Sequence, residues 1–212
     1  MTTPVSDVMT RNVVSLRTHA EFKEIVQVMR ARRFSAYPVI DDSDRVIGVV
    51  SEDDLLVKEA YSGSDAPPWF LIRHSDKAKV SALTAADLMT SPATTITPGT
   101  PVSDAARKMH AKHIKRLPVV TDDGRLVGIV SRIDLLSVYA RPDDDIRDEI
   151  VEQVIGSEFR LNPGDYSVTV SSSVVTIRGP VHDEQVALSL LAAIRGVTGV
   201  VAVRDRLQYQ PS

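Results

Sequence analysis

At 212 residues, with 43% apolar and 25% charged positions, the chain has the composition of a water-soluble globular protein and room for about one to three small domains. A formal net charge of -3 and a pI near 6.0 give no electrostatic footprint for sequence-independent nucleic-acid binding, so no nucleic-acid partner is expected. The lack of cysteine excludes disulfides, thiol nucleophiles and thiolate metal sites.

The residues from Met1 to Asp7 lack the basic and apolar regions of a secretory signal, and no stretch approaches the roughly 18 apolar residues of a membrane span. A cytoplasmic protein is expected. Val13 to Leu16 follows a turn-prone Arg11-Asn12 and suits a short buried strand. Phe22, Ile25, Val26 and Met29 recur at three- and four-residue steps and predict a helix with one apolar face. Tyr37 to Ile40 predicts a second strand, with Pro38 at a start or edge. A polar turn at Asp41 to Asp44 leads into a third strand, Val46 to Val50, and Ser51-Glu52-Asp53-Asp54 opens a second helix.

That series then repeats without a gap at a constant offset of 80 residues. Asp7-Val8-Met9-Thr10 pairs with Asp87-Leu88-Met89-Thr90, Tyr37-Pro38-Val39-Ile40 with Leu117-Pro118-Val119-Val120, and Gly48 to Leu56 with Gly128 to Leu136. Self-similarity held in one register over such a length predicts two copies of one β-α-β-β-α unit. In the second copy the elements are a strand at Ala93 to Ile96, a helix from Pro101 to Lys112, and strands at Leu117 to Val120 and Leu126 to Val130. Between the copies, Gly63, Pro67, Pro68 and the lone Trp69 have linker-like composition with an aromatic anchor expected to pack on one unit.

A third unit begins after Arg141-Pro142. Asp143-Asp144-Asp145 precedes Ile146, Ile150, Val151, Val154 and Ile155 at helical spacing, and acidic residues at a helix start interact favourably with its dipole. Tyr166 to Val170 and Val174 to Arg178 alternate polar and apolar and predict a hairpin through Ser171-Ser172-Ser173. A helix from Asp183 to Ile194 is expected to bury Val186, Leu190 and Ile194, with Gly196 closing it at positive φ and Val200 to Val203 as the last strand. Gly179 is expected to end a strand.

The chemistry rests on the repeated Ser-x-x-Asp at a strand-to-helix junction. The serine hydroxyl and free N–H groups of a helix start can hold phosphate, and an aspartate one turn on can accept hydrogen bonds from two ribose hydroxyls. The same pattern is close to a capping box, with Ser51 capping and Asp54 reaching back, and taken singly it is more often a cap. Gly48 and Gly128 allow backbone or ligand to come close. His19, His74, His110, His113 and His182 lack metal-ligand spacing, and the serines lack a nucleophile-elbow setting, so a non-enzymatic protein needing no cofactor is expected.

The gapless pair, with Met-Thr before each first strand, Pro-Val in each second strand and a Gly-to-Leu-Leu ending around Ser-x-x-Asp, resembles a tandem of cystathionine-beta-synthase (CBS) domains. The resemblance implies an α/β fold of two CBS units forming a Bateman module: residues 1–60, a linker over 61–80, and 81–140. It implies a cleft between them for AMP, ADP, ATP or S-adenosylmethionine, and a homodimer through the CBS pairs. Carried over, Ser51 and Asp54 would be the phosphate and ribose residues of one cleft, and Ser131 and Asp134 those of the other. The family's basic residue before the strand proline has counterparts in Lys115 and Arg116, with His113 nearby. Ser35 and Ala36 stand there in the first copy, where Arg32 and Arg33 could substitute. Lys115 and Arg116 are equally readable as an exposed strand start.

The third unit, from Val175-Thr176-Ile177-Arg178-Gly179-Pro180-Val181 through Gly196-Val197-Thr198-Gly199-Val200 to Leu207, resembles a BON domain over residues 143–209, an α-β-β-α-β unit. For that family contact with phospholipid or cell-envelope polymers is implied. The expected function is a sensor whose CBS pair binds an adenosine ligand and modulates a BON-mediated interaction. The alternative is a dimeric tether with empty clefts, its BON unit meeting membrane phospholipid or a protein partner.

Overall fold

The computed structural model describes residues 3–32, 34–61 and 74–209; Arg33 and Trp69, with the expectations attached to them, lie outside the described residues. Among the described residues the chain divides into two compact units. One comprises Met9–Thr100 and Asp104–Arg132, and the other the N-terminal residues up to Val8, Pro101–Ser103 and the chain from Ile133 onward.

In the first unit the elements are β1 (Leu16–Arg17), α1 (Phe22–Arg32), β2 (Ala36–Ile40), β3 (Val46–Ser51), α2 (Glu52–Ala60), α3 (His74–Val80), α4 (Ala85–Leu88), α5 (Val102–Ala111), β4 (Arg116–Val120) and β5 (Leu126–Ser131). β1 runs parallel to β2, and β2 antiparallel to β3. The second copy repeats the hairpin in the same register, Leu117 facing Val130 as Tyr37 faces Val50, with an irregularity at the same place, Val39/Ile40 and Val119/Val120.

Both first strands are shorter than the sequence suggests. The run Val13 to Leu16 yields a strand only from Leu16, and Ala93 to Ile96 yields a single parallel bridge between Ile96 and Val119. Each first strand meets its neighbour at only one or two positions, so the preceding residues gain no ladder. Pro118 suits this arrangement, because its carbonyl accepts from Ile96 N at 3.1 Å and its nitrogen faces the side where that strand has only begun. Leu16, Ile25, Tyr37, Val39 and Val50 form the core of the first copy, joined there by Ala85 and Leu88 from the start of the second. Ile96, Ala105, Met109, Leu117, Val119 and Val130 are the buried counterparts in the second.

The two copies interlock. Thr10 exchanges hydrogen bonds with Ile129, each amide donating to the other's carbonyl at 2.9 Å, and Thr90 does the same with Val49 at 2.9 and 3.1 Å. Beside these bridges a Cβ on Gly48 would come within 2.5 Å of the Met89 sulfur, and one on Gly128 within 2.5 Å of the Met9 sulfur. Each glycine therefore makes room for the methionine that precedes the other copy's first strand.

The second compact unit holds the rest of α6 (Arg132–Leu136), then α7 (Asp143–Glu149), continued by a π-helical stretch Ile150–Glu158, β6 (Ser167–Ser171), β7 (Val174–Val181), α8 (Glu184–Arg195) and β8 (Ala202–Tyr209). β7 lies between antiparallel β6 and parallel β8. Ile146, Ile150, Ile155, Ile177, Leu190 and Ile194 are the largest fully buried side chains of its core. The hairpin turn carries Ser172 and Ser173 at φ 49 and 62, left-handed values held by their amides donating to the Asp143 carboxylate at 2.8 and 2.9 Å. Asp143 thus ties the start of α7 to the hairpin. Thr3 donates to Thr198 at 2.8 Å, and Arg141 donates to the Thr198 carbonyl at 2.8 Å, so the N-terminal residues and the loop after α8 share one anchor.

Four sequence expectations change here. Val186 is 37% exposed, and Ala187 and Leu191 are buried with Leu190 and Ile194 instead. Gly196 caps α8 at φ -79, not at positive φ, and receives no strain from the turn. The last strand starts at Ala202 and runs to Tyr209, because parallel pairing with the whole of β7 supplies a partner for every residue. Gly179 lies inside β7 rather than at its end, where the Tyr166 ring lies across it: a Cβ there would sit 2.3 Å from Tyr166 Cδ1.

Two predictions come from these contacts. Gly48→Ala is expected to destabilise by about 1–3 kcal/mol through overpacking on Met89. In a urea double-mutant cycle with Met89→Ala the two changes should couple favourably by about 0.5 kcal/mol or more, and strict additivity would refute the interlock. The Tyr166 hydroxyl donates to the Pro180 carbonyl at 2.9 Å, and burial, with the Asp165 charge adding to it, raises its pKa above the ordinary phenol value. A raised folded pKa means stability is full below the unfolded value of about 10 and is lost as pH rises through the folded one. Tyr166→Phe should flatten that alkaline loss in pH-dependent denaturation, and an unchanged slope would show that the phenol makes no contribution.

Candidate functional site

Ser51 ends β3 with extended backbone (φ -116, ψ 164) and caps α2. Its amide and its hydroxyl both donate to Asp54 Oδ2 at 2.7 Å, so the capping reading is realised in the fold. Asp54 is only 7% exposed. Its other oxygen pairs with Lys79 Nζ, brought by α3 from the segment between the copies, and Lys79 Nζ is also 3.4 Å from the Thr90 hydroxyl. Glu52 and Asp53, the two residues between Ser51 and Asp54, are exposed.

A cavity of about 190 Å³ opens against this corner. The first copy contributes the start of β2 at Ser35 and Ala36 and the junction Ser51 to Asp54; the second contributes Thr90 and Pro92 to Thr94, and His113 to Arg116. Four of the six residues singled out in the sequence, Ser51, Asp54, Lys115 and Arg116, therefore meet at one cavity. Ser131 and Asp134 do not line it: Ser131 ends β5, Asp134 lies in α6, and the boundary between the compact units falls between them. Arg32 ends α1 and also lies outside the lining.

The basic wall is built by a helix stop. After α5 the His113 amide donates to the His110 carbonyl at 3.2 Å and the Ile114 amide to Met109 at 3.1 Å, the paired bonds of a left-handed C-cap, with His113 itself at φ 55. A side chain other than glycine there costs of order 1 kcal/mol. The stop delivers Lys115 and Arg116 straight into β4. Lys115 reaches Glu52 at 3.6 Å with both side chains more than half exposed, a contact worth about 0–1 kcal/mol. Arg116 lies 5.2 Å above the Phe34 ring, which faces Tyr37 edge-on at 6.3 Å. Both cations are thus loosely held and turned to the cavity. Burial raises the Tyr37 phenol pKa, and the nearby Arg116, then a hydrogen bond with the Phe34 backbone, then Arg32 partly offset the shift.

Lys79 was not visible in the sequence as a site residue, since nothing in its spacing relates it to Asp54. Thr90 was visible only as part of the repeated Met-Thr; the structure adds its bridge to Val49 and its place in the cavity lining. His110 and His113 rings lie 6.4 Å apart, and no group of three or more metal-ligating residues forms among the described residues.

The sequence matches the CBS domain family over residues 5–60 and 85–141, which is more than half of the chain. The chain belongs to the CBS-domain family. Residues 142–211 match the BON domain family, so the CBS pair is followed by a BON domain. An uncharacterized protein, MK0525, of Methanopyrus kandleri is 29% identical over 134 residues, 63% of this chain and 61% of that protein. The CBS domain-containing protein CBSX2, chloroplastic, of Arabidopsis thaliana is 30% identical over 142 residues, 60% of each chain. This chain therefore spans less than two thirds of the length of either relative. The crystal structure of CBSX2 in complex with AMP has a TM-score of 0.58 at 30% identity, covering 65% of this chain and 96% of that one. The matched part of the fold is the CBS pair, an α/β Bateman module as the resemblance implied. Among the described residues no helix is long and apolar enough to cross a membrane.

Proposed function

We propose that this protein is a non-enzymatic sensor whose CBS pair binds an adenosine nucleotide in the cavity between Ser51–Asp54 and His113–Arg116. The observation that carries this reading is the meeting of an acidic helix start from one copy with a basic strand start from the other. Asp54 would accept a ribose hydroxyl at its one open position, and Lys115 and Arg116 would meet phosphate by charge-assisted hydrogen bonds. AMP leads over ADP, ATP and S-adenosylmethionine because the relative CBSX2 is known in complex with AMP at 30% identity. Binding would act as a signal only through different affinities for two arrangements of the pair or of a CBS-mediated homodimer, and the BON-mediated interaction is its proposed output.

Thermal unfolding with AMP tests this. A ligand at about one hundred times its dissociation constant should add roughly 2.7 kcal/mol, several degrees at about 2–4 °C per kcal/mol. Asp54→Ala should abolish the AMP-dependent rise, and Asp134→Ala should leave it intact. No rise at millimolar AMP would sink the reading.

One observation favours a second reading, in which the BON domain tethers the protein to anionic phospholipid. Arg178 stands beside Arg206 in the β7–β8 register, and Thr176 beside Arg204, so three exposed arginines share the outer face of the sheet. None of the three has an ion-pair partner among the described residues. On that reading co-sedimentation with phosphatidylserine vesicles should survive Asp54→Ala and be lost in Arg178→Glu/Arg206→Glu. Failure of the wild-type chain to sediment would remove it.

A further inference from the structure

Lys79 meets the one buried carboxylate of the cavity, and nothing in the repeat requires it to. An ionised carboxylate offers about four acceptor positions. At Asp54 three are engaged, by the Ser51 amide, the Ser51 hydroxyl and Lys79 Nζ, which leaves the carboxylate oriented and one position open toward the cavity. The Lys79 side chain is 16% exposed and that of Asp54 10%, so this pair is shielded from water, unlike Glu52–Lys115 at 51% and 57%. Screening by solvent is therefore weakest where Lys79 acts.

Charge at the cavity is set by this pair. Glu52, Asp53 and Asp54 line it against Lys115 and Arg116, with His113 beside them, so the lining carries one more carboxylate than it has permanent cations. Lys79, standing behind Asp54, removes that excess. With Asp54 neutralised from behind, Lys115 and Arg116 are left to act on whatever the 5′ side of an adenosine carries. Without Lys79 the same cavity would favour a cation.

We propose that Lys79 is a specificity-determining residue that sets the ligand's charge class: the cleft takes an adenosine bearing a negative 5′ substituent, a nucleoside phosphate, in preference to the cationic sulfonium of S-adenosylmethionine. This rests on the reading of the cleft as an adenosine site. Lys79 does so by cancelling the Asp54 charge while holding the carboxylate in position for ribose, so its effect is on the charge of the ligand and not on recognition of the nucleoside itself.

The test is calorimetric titration of AMP, adenosine and S-adenosylmethionine into the full chain and into Lys79→Gln, which keeps an N–H donor for Asp54 and loses the charge. The ratio of AMP to adenosine affinity is expected to fall about tenfold in Lys79→Gln, as loss of one unit charge within about 10 Å implies. Binding of S-adenosylmethionine relative to adenosine should move the other way. Lys79→Arg, which restores the charge, should hold the wild-type ratio, and it serves as the comparison if circular dichroism shows Lys79→Gln to be unfolded: an AMP-to-adenosine ratio in Lys79→Arg near one would then overturn the assignment. Binding of all three ligands with an unchanged ratio in Lys79→Gln sinks the role of Lys79 alone. Binding of none of them by the wild-type chain sinks the adenosine reading and this assignment together.

Discussion

Each copy of the CBS unit completes the other's sheet, and the rest of the structure depends on that exchange. Thr10 bridges to Ile129 and Thr90 to Val49, while Met9 and Met89 occupy the space that Gly128 and Gly48 leave open. An exposed sheet edge is a row of unpaired amides and carbonyls, and here the strand that follows the turn in each copy has its edge met by the partner copy's entering chain. Two half-sheets are thereby locked in one register. The glycines are needed for their lack of a side chain at a close approach, not for unusual backbone angles.

That lock decides which side chains face one another. A repeat of 80 residues suggests two equivalent clefts, but the copies have diverged at the positions that matter. The first copy keeps Ser51 and Asp54 and has Ser35 and Ala36 at its strand start; the second supplies Lys115 and Arg116. Because the interlock brings the acidic corner of one copy against the basic start of the other, the divergence concentrates opposite charges at one cavity. Asp134, the counterpart of Asp54, lies past the boundary at Arg132/Ile133 and so in the other compact unit.

Much of this was legible because it is local or repeated. Apolar periodicity gave the helices, the alternation in Ser167 to Arg178 gave the hairpin, and self-similarity gave two copies of one unit. What was hidden depends on contacts between distant segments. The shortness of both first strands follows from how few residues their neighbours offer, and the length of β8 from full parallel pairing with β7, neither of which is written in local propensity. Gly179 illustrates the same limit: its surroundings suggested a strand end, whereas the Tyr166 ring across the sheet is what excludes a side chain. Lys79 is the clearest case, since a lysine in a polar helix between domains carries no mark of the buried carboxylate it meets.

Capping and binding are often set against each other as explanations of a Ser-x-x-Asp, yet a second cap in this chain separates them. Thr84 and Asp87 repeat the arrangement at the start of α4, with the Thr84 amide and hydroxyl donating to Asp87 at 3.0 and 2.8 Å. Asp87 is exposed, and hydrogen bonds from the Thr84 hydroxyl, then the Thr84 and Leu83 amides, hold its carboxyl below the usual carboxylate range. That is what a cap requires, and it requires nothing more. Asp54 has the same two donors but adds burial, a shielded cation on its second oxygen, and an opening toward a cavity with two loosely held cations across it. Burial and the opening do not improve the cap, since burying a carboxylate opposes the ionised state that capping uses, and the cation offsets that cost. The features that distinguish Asp54 from Asp87 are therefore the ones a ligand site would use, and at the proposed site the cap would fix the carboxylate in one rotamer before anything binds.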